Sequence, residues 1–228
     1  MKSRPRVIPV IDVLDRAQAV RNAALAFAVG ADGIFFDNAD DDDGILLTVA
    51  KQLKPDWPDK LLGASYASLG PVKALERSVR SGLDATWTVR TDVTARMASA
   101  DAVRAATLLK SHPGHRFFAA IASSASDVEG EPGLAAMRAR ELGMIPTTGE
   151  ERSDGSSRRL ATIRGAIGNA PLALAGSFAP ANLGSLSSLP SHLFVHTGGD
   201  AGFAYLDVDA LRTCMTRVTA AAFGTASA

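Results

Sequence analysis

Arg6-Val-Ile-Pro-Val-Ile-Asp12, the helically spaced segment 16–29, the turn Gly30-Ala-Asp-Gly33 and the apolar run 33–38 together decide the fold. A short apolar run, a segment of period 3.6 closed by a glycine and a second short apolar run read as strand, helix, strand. A helix between two strands brings them side by side in parallel.

Outward from that unit the alternation continues to the end of the chain. Apolar runs fall at 6–12, 33–38, 60–66, 83–89, 116–123, 143–148, 171–177 and 192–197. Helical spacing occupies 16–29, 45–53, 71–81, 100–111, 132–142, 157–167, 180–189 and 208–223. Pro71, Pro132 and Pro180 suit first helical turns, and Gly30, Gly82, Gly143 and Gly168 fall where helices should end. Eight such units with no Ser/Gly/Pro-rich linker predict an α/β protein, a single (β/α)8 TIM barrel spanning 1–228 as one domain. Closure gives every strand two neighbours and leaves no edge. The rival, an open doubly wound sheet, lacks a Gly-x-Gly-x-x-Gly turn after its first strand.

Composition narrows the function classes. The 228 residues carry 24 Lys+Arg against 24 Asp+Glu, so no general attraction to nucleic acid or an acidic membrane is expected. With 46% hydrophobic and 21% charged residues, the chain can fill a core and is not of disordered composition. No apolar stretch approaches the ~20 residues of a bilayer span, and Met1-Lys-Ser-Arg-Pro-Arg6 does not open a signal peptide, so cytoplasmic residence is expected. The partner expected is a small-molecule substrate, with no nucleic acid, no membrane and no cofactor; a homo-oligomer is compatible with the composition. Cys214, the single cysteine, can form neither an internal disulfide nor a zinc cluster and reads as a buried small hydrophobe.

Leu172-Ala-Leu-Ala-Gly-Ser-Phe-Ala-Pro-Ala-Asn-Leu183 and Leu193-Phe-Val-His-Thr-Gly-Gly199 resemble the loops after strands seven and eight of the ribulose-phosphate-binding barrel superfamily. Gly30-Ala-Asp-Gly33 at the second strand is most similar to the BtpA-like branch. The resemblance implies a phosphate held by backbone amides at Gly176, Ser177, Gly198 and Gly199, in the way helix N-termini hold anions.

Barrel enzymes carry their reactive groups at the carboxyl ends of the strands. No lysine falls there, which argues against Schiff-base chemistry. His196 is the one histidine at a strand top, and a mononuclear metal site would have to combine it with Asp12 and Asp37, so no metal is expected. The run Asp40-Asp-Asp-Asp-Gly44 fails as an EF-hand, because alanines occupy ligand positions one and twelve when Gly44 is the loop glycine. His112-Pro-Gly-His115 leads into the fifth strand at the opposite, stability-bearing face.

Closure of strand eight on strand one brings His196 near Asp12, with Ser177 above strand seven. Ser177 as nucleophile, His196 as base and Asp12 as its orienting acid make the leading expectation, hydrolysis of a small activated ester. The alternatives are proton abstraction from an aromatic substrate by His196 and Asp12, and a non-catalytic phosphate- or phosphosugar-binding barrel. A phosphosugar isomerase or lyase would use Asp12 and Asp37 as an acid–base pair. Trp87, Tyr66, Phe36, Asp37, Ser124 and Phe178 are the expected pocket wall, Trp87 stacking on a flat substrate. Runs such as Ala64-Ser-Tyr-Ala67 and Ala122-Ser-Ser-Ala-Ser126 read as a rim emptied of large side chains, as in a barrel engineered for a new substrate or in a divergent natural one.

Overall fold

The computed structural model describes residues 4–37, 43–122, 132–149, 155–176, 189–196 and 205–223. The strands are β1 (Arg6–Asp12), β2 (Gly33–Asp37), β3 (Leu61–Tyr66), β4 (Ala85–Thr88), β5 (Arg116–Ala122), β6 (Ile145–Gly149), β7 (Ala173–Gly176) and β8 (His192–His196). The helices are α1 (Arg16–Ala28), α2 (Asp43–Leu53), α3 (Pro71–Arg80), α4 (Ala100–Lys110), α5 (Pro132–Glu141), α6 (Gly155–Ile167) and α7 (Val208–Phe223). The strands pair in parallel, in chain order, into a closed barrel, with β8 returning to β1. The expected helix at 180–189 lies, but for its last residue, outside the described residues.

Local chemistry sets these boundaries. Asp15 caps α1 by accepting from the Gln18 N–H at 2.8 Å, and Ser99 caps α4 through the Ala102 N–H at 3.1 Å. Gly30, Gly82, Gly143 and Gly168 all have positive φ just past their helices, a conformation a Cβ resists.

Two cores result. Val7, Ile11, Ile34, Phe36, Leu62, Tyr66, Phe117 and Leu193 face outward beneath the helices. Ile8, Val10, Phe35, Trp87, Phe118 and Phe194 fill the lumen. The Phe194 ring centroid lies 4.8 Å from Phe35, 5.0 Å from Trp87 and 4.9 Å from Phe118, so the barrel is plugged by aromatic rings. Gly63 makes room for them, because a Cβ there would come within 2.5 Å of the Phe35 ring. Cys214 is buried in the outer core, and burial pushes its thiol up to about 11, so it is an inert hydrophobe at neutral pH.

The amino-terminal ends of the strands are tied by a recurring device. Asp32 donates its N–H to the Val7 carbonyl at 3.0 Å, while its carboxylate accepts from the Val7 N–H at 2.8 Å and grips Arg4 at 2.7 Å. Asp84 does the same with Leu62, at 2.8 and 2.9 Å, and pairs Lys54 at 2.6 Å. Ser191 repeats the reciprocal bond with Leu172, its hydroxyl in place of the carboxylate. Each satisfies a backbone group that would otherwise end its ladder unpaired. The sequence runs 83–89 and 171–177 overshoot β4 and β7 for a related reason: residues before a strand, such as Leu83 and Asp84, serve the turn and clamp instead of the ladder.

Candidate functional site at the carboxyl-terminal mouth

Successive residues of a strand point to opposite faces. Ile8 and Val10 lie in the lumen, so Asp12 at the end of β1 shares that face. Phe35 does the same for Asp37 on β2, and Phe194 for His196 on β8. Three titratable groups therefore stand on consecutive strands of the closed sheet, partly buried, above the aromatic plug. Asp12 is directly level with Asp37 in the β1–β2 register. His196 is level with Val10, one inward-facing step below Asp12.

The electrostatics of the pair are convergent. Burial raises the Asp12 carboxyl above its ordinary range, partly offset by attraction to His196. Burial lowers the His196 imidazole below its ordinary value, partly offset by Asp12. At neutral pH the imidazole is therefore neutral, and the carboxylate is more basic than a solvated aspartate. The two interact through their fields; among the described residues no hydrogen bond or ion pair joins them.

Trp87 on β4 shares this lumen. Its ring centroid is 6.4 Å from that of His196, and its indole N–H is buried with no hydrogen-bond partner among the described residues. An unpaired buried donor costs roughly 1–3 kcal/mol, which a ligand acceptor would recover. Its expected role as a stacking surface leaves out this donor, because nothing short of the packing around it shows that the donor is left unpaired.

Other expected pocket residues are placed differently. Phe36 and Tyr66 point outward into the helix-facing core, the Tyr66 hydroxyl accepting from Ser78 at 3.2 Å, so neither walls the lumen. Each follows or precedes an inward residue, Asp37 or Ser65, and alternation forbids both members of such a pair from facing inward. Of the small residues read as an emptied rim, Ala64 likewise packs outward, whereas Ser65 stands level with the lumen-facing Trp87. Gly176 ends β7. Ser177, Phe178, Ser124, Gly198 and Gly199 lie outside the described residues. Among the described residues no group of three or more His, Cys, Asp or Glu could hold a metal ion. No helix of the described residues is long and apolar enough to cross a membrane.

No family model matches the chain, and no curated protein matches it significantly. Solved structures do. A monomeric form of the dimeric phosphoribosylanthranilate isomerase of Thermotoga maritima superposes with TM-score 0.64 at 16% identity, covering 94% of this chain and 98% of that one. KGPDC from Streptococcus mutans, in complex with D-R5P, gives TM-score 0.68 at 13% identity over 94% and 98%. A native KDPGal structure gives 0.65 at 14% over 98% and 95%. At such identities the likeness carries the fold alone, a (β/α)8 barrel; none of these neighbours carries the narrower BtpA-like likeness.

These findings overturn the expected serine esterase. The three neighbours named above carry isomerase, KGPDC and KDPGal names, and none is named for ester hydrolysis. A triad also needs its acid hydrogen-bonded to the imidazole to fix the tautomer, and Asp12 makes no such bond to His196. The aromatic-substrate lyase and the non-catalytic barrel find no support in the same comparisons, and the former loses its apolar wall with Tyr66 and Phe36.

Proposed function

We propose that the chain is a proton-transfer enzyme of the isomerase type, acting at the carboxyl-terminal mouth on a small phosphorylated carbonyl compound. The observation that carries this reading is the juxtaposition of Asp12, Asp37 and His196 on three consecutive strands, facing one lumen. Asp12, made more basic by burial, removes a proton from the carbon next to the carbonyl. The electron pair moves onto the carbonyl oxygen, where the charge is met by the orphaned Trp87 indole N–H and the neutral His196 imidazole. The enolate oxygen takes up the proton of the adjacent hydroxyl, whose oxygen becomes the new carbonyl, and the carbon-bound proton returns at the former carbonyl carbon, with Asp37 level with Asp12 to relay it. The phosphate is held by Gly176, Ser177, Gly198 and Gly199 after β7 and β8, where barrels of this type offer backbone amides. Support for the substrate class comes from the fold neighbours, among them an isomerase and a structure holding D-R5P.

The test is exchange of carbon-bound hydrogen with solvent deuterium, followed by NMR, over a panel of aldose and ketose phosphates that includes D-R5P. Incorporation by the wild type and its loss in Asp12→Asn supports the reading. Exchange with no member of the panel, or exchange unchanged in Asp12→Asn, overturns it.

A further inference from the structure

The opposite mouth carries charges that the proton-transfer reading does not use. Arg6 begins β1 and Arg116 begins β5, each on the lumen-facing parity of its strand, with Ile8 and Phe118 as the next inward residues. Beside them opens a cavity of about 180 Å³, lined by both arginines together with Lys54, Lys60 and Asp84. The other cations of this end are engaged: Arg4 with Asp32, Lys54 with Asp84, and Lys60 with the Ala31 carbonyl at 2.8 Å. Arg6 has no side-chain partner among the described residues, and Nη1 of Arg116 is buried without a hydrogen bond. Asp59 also lines the cavity but is solvent-exposed, and Asp84 already serves Lys54 and the Leu62 N–H.

Two guanidinium groups placed together with an unsatisfied buried donor are unfavourable unless an anion lies between them. Burial, and after it the like charge of Arg6, lowers Arg116, while burial with the like charges of Arg116 and Arg6 pushes His192 down to about 4. The cavity is below the roughly 300–1,000 Å³ of pockets for drug-sized ligands, which fits a compact ion and excludes a nucleotide. We propose that the amino-terminal mouth is a binding site for a phosphate-sized oxyanion, forked between Arg6 and Arg116. It is separate from the carboxyl-terminal site and does not depend on its chemistry.

Thermal unfolding in orthophosphate, against chloride at equal ionic strength and pH, tests the site. Phosphate binding to the folded state raises Tm with the logarithm of phosphate concentration above Kd, by several degrees at millimolar concentrations. Arg6→Gln, at an exposed position, and Arg116→Gln should each remove most of that rise while leaving Tm in chloride equal or higher, because like-charge repulsion is relieved. If Arg116→Gln fails to fold, Arg6→Gln decides. No rise in the wild type, or a rise that survives Arg6→Gln, overturns the proposal, the latter result placing the phosphate at the other mouth.

Discussion

The two mouths of this barrel use charge in opposite ways. At the amino-terminal end the carboxylates of Asp32 and Asp84 are each committed to a backbone N–H and a cation, and the half-buried His115 and buried His192 are committed too. His115 bridges the Leu83 carbonyl and Thr86, and His192 bonds Ser191. At the carboxyl-terminal end the Asp12 carboxylate has no hydrogen bond from a described residue, His196 is not held by it, and the Trp87 N–H is unpaired. Arg6 and Arg116 apart, the amino-terminal end spends its polar groups on holding strands in register. The other leaves the Asp12 carboxylate and the Trp87 N–H without a partner among the described residues, which lowers stability and leaves them available to a ligand.

Breaking the contrast begins with Asp12. Asp12→Asn should lower deuterium incorporation by about 10²- to 10⁴-fold, yet leave Tm at neutral pH unchanged or raised, since a carboxyl whose pKa is raised in the fold costs stability once ionised. A Tm that falls by many degrees would assign Asp12 to the scaffold.

Acid should act on the opposite mouth. His115 and His192 are held at about 4 by burial, below the roughly 6.5 of the unfolded chain, so the unfolded state binds more protons between those values. Their stabilising contribution is complete above about pH 6.5, is lost as pH falls towards 4, and is on the order of 3 kcal/mol for each at most. Urea unfolding across that range, compared with His192→Gln, reads the loss; a flat profile would show these rings to be solvated.

Asp84→Ala strands the Leu62 N–H and Lys54 and should cost about 2–3 kcal/mol in denaturant unfolding, with no change in catalysis. Ser191→Ala, which removes a neutral clamp, should cost about 1 kcal/mol. An equal cost for the two would mean that the ion pair with Lys54 adds nothing.

Much of this was legible in the residues. Alternating apolar runs and helical segments, with glycine stops at Gly30, Gly82, Gly143 and Gly168, specify all eight strands and the closed barrel. Asp12 and His196 could be set on one face because Ile8, Val10 and Phe194 share their parity. Phe36 and Tyr66 could not be placed by hydrophobicity, because a strand buried on both faces is apolar on both. Gly33 and Gly63 are the usable signal: a Cβ at either would collide, with Leu61 or with Phe35, and that sets the inward parity of β2 and β3. The clamps also left a trace, since Gly30-Ala-Asp32 and Gly82-Leu-Asp84 repeat one spacing before alternate strands. The loops after β7 and β8, where the resemblance implies a phosphate, stand outside the described residues, so Ser177, Gly198 and Gly199 remain part of the proposal alone.

The reciprocal clamps tie β1 to β2, β3 to β4 and β7 to β8 like hoops fastening staves in pairs. Among the described residues β5 and β6 have no such hoop, and their ladder slips register between Ala120 and Ala122. The amide protons of Val7, Leu62 and Leu172, each fastened by a hoop, should therefore trade with solvent more slowly than those at the unfastened amino-terminal end of β6.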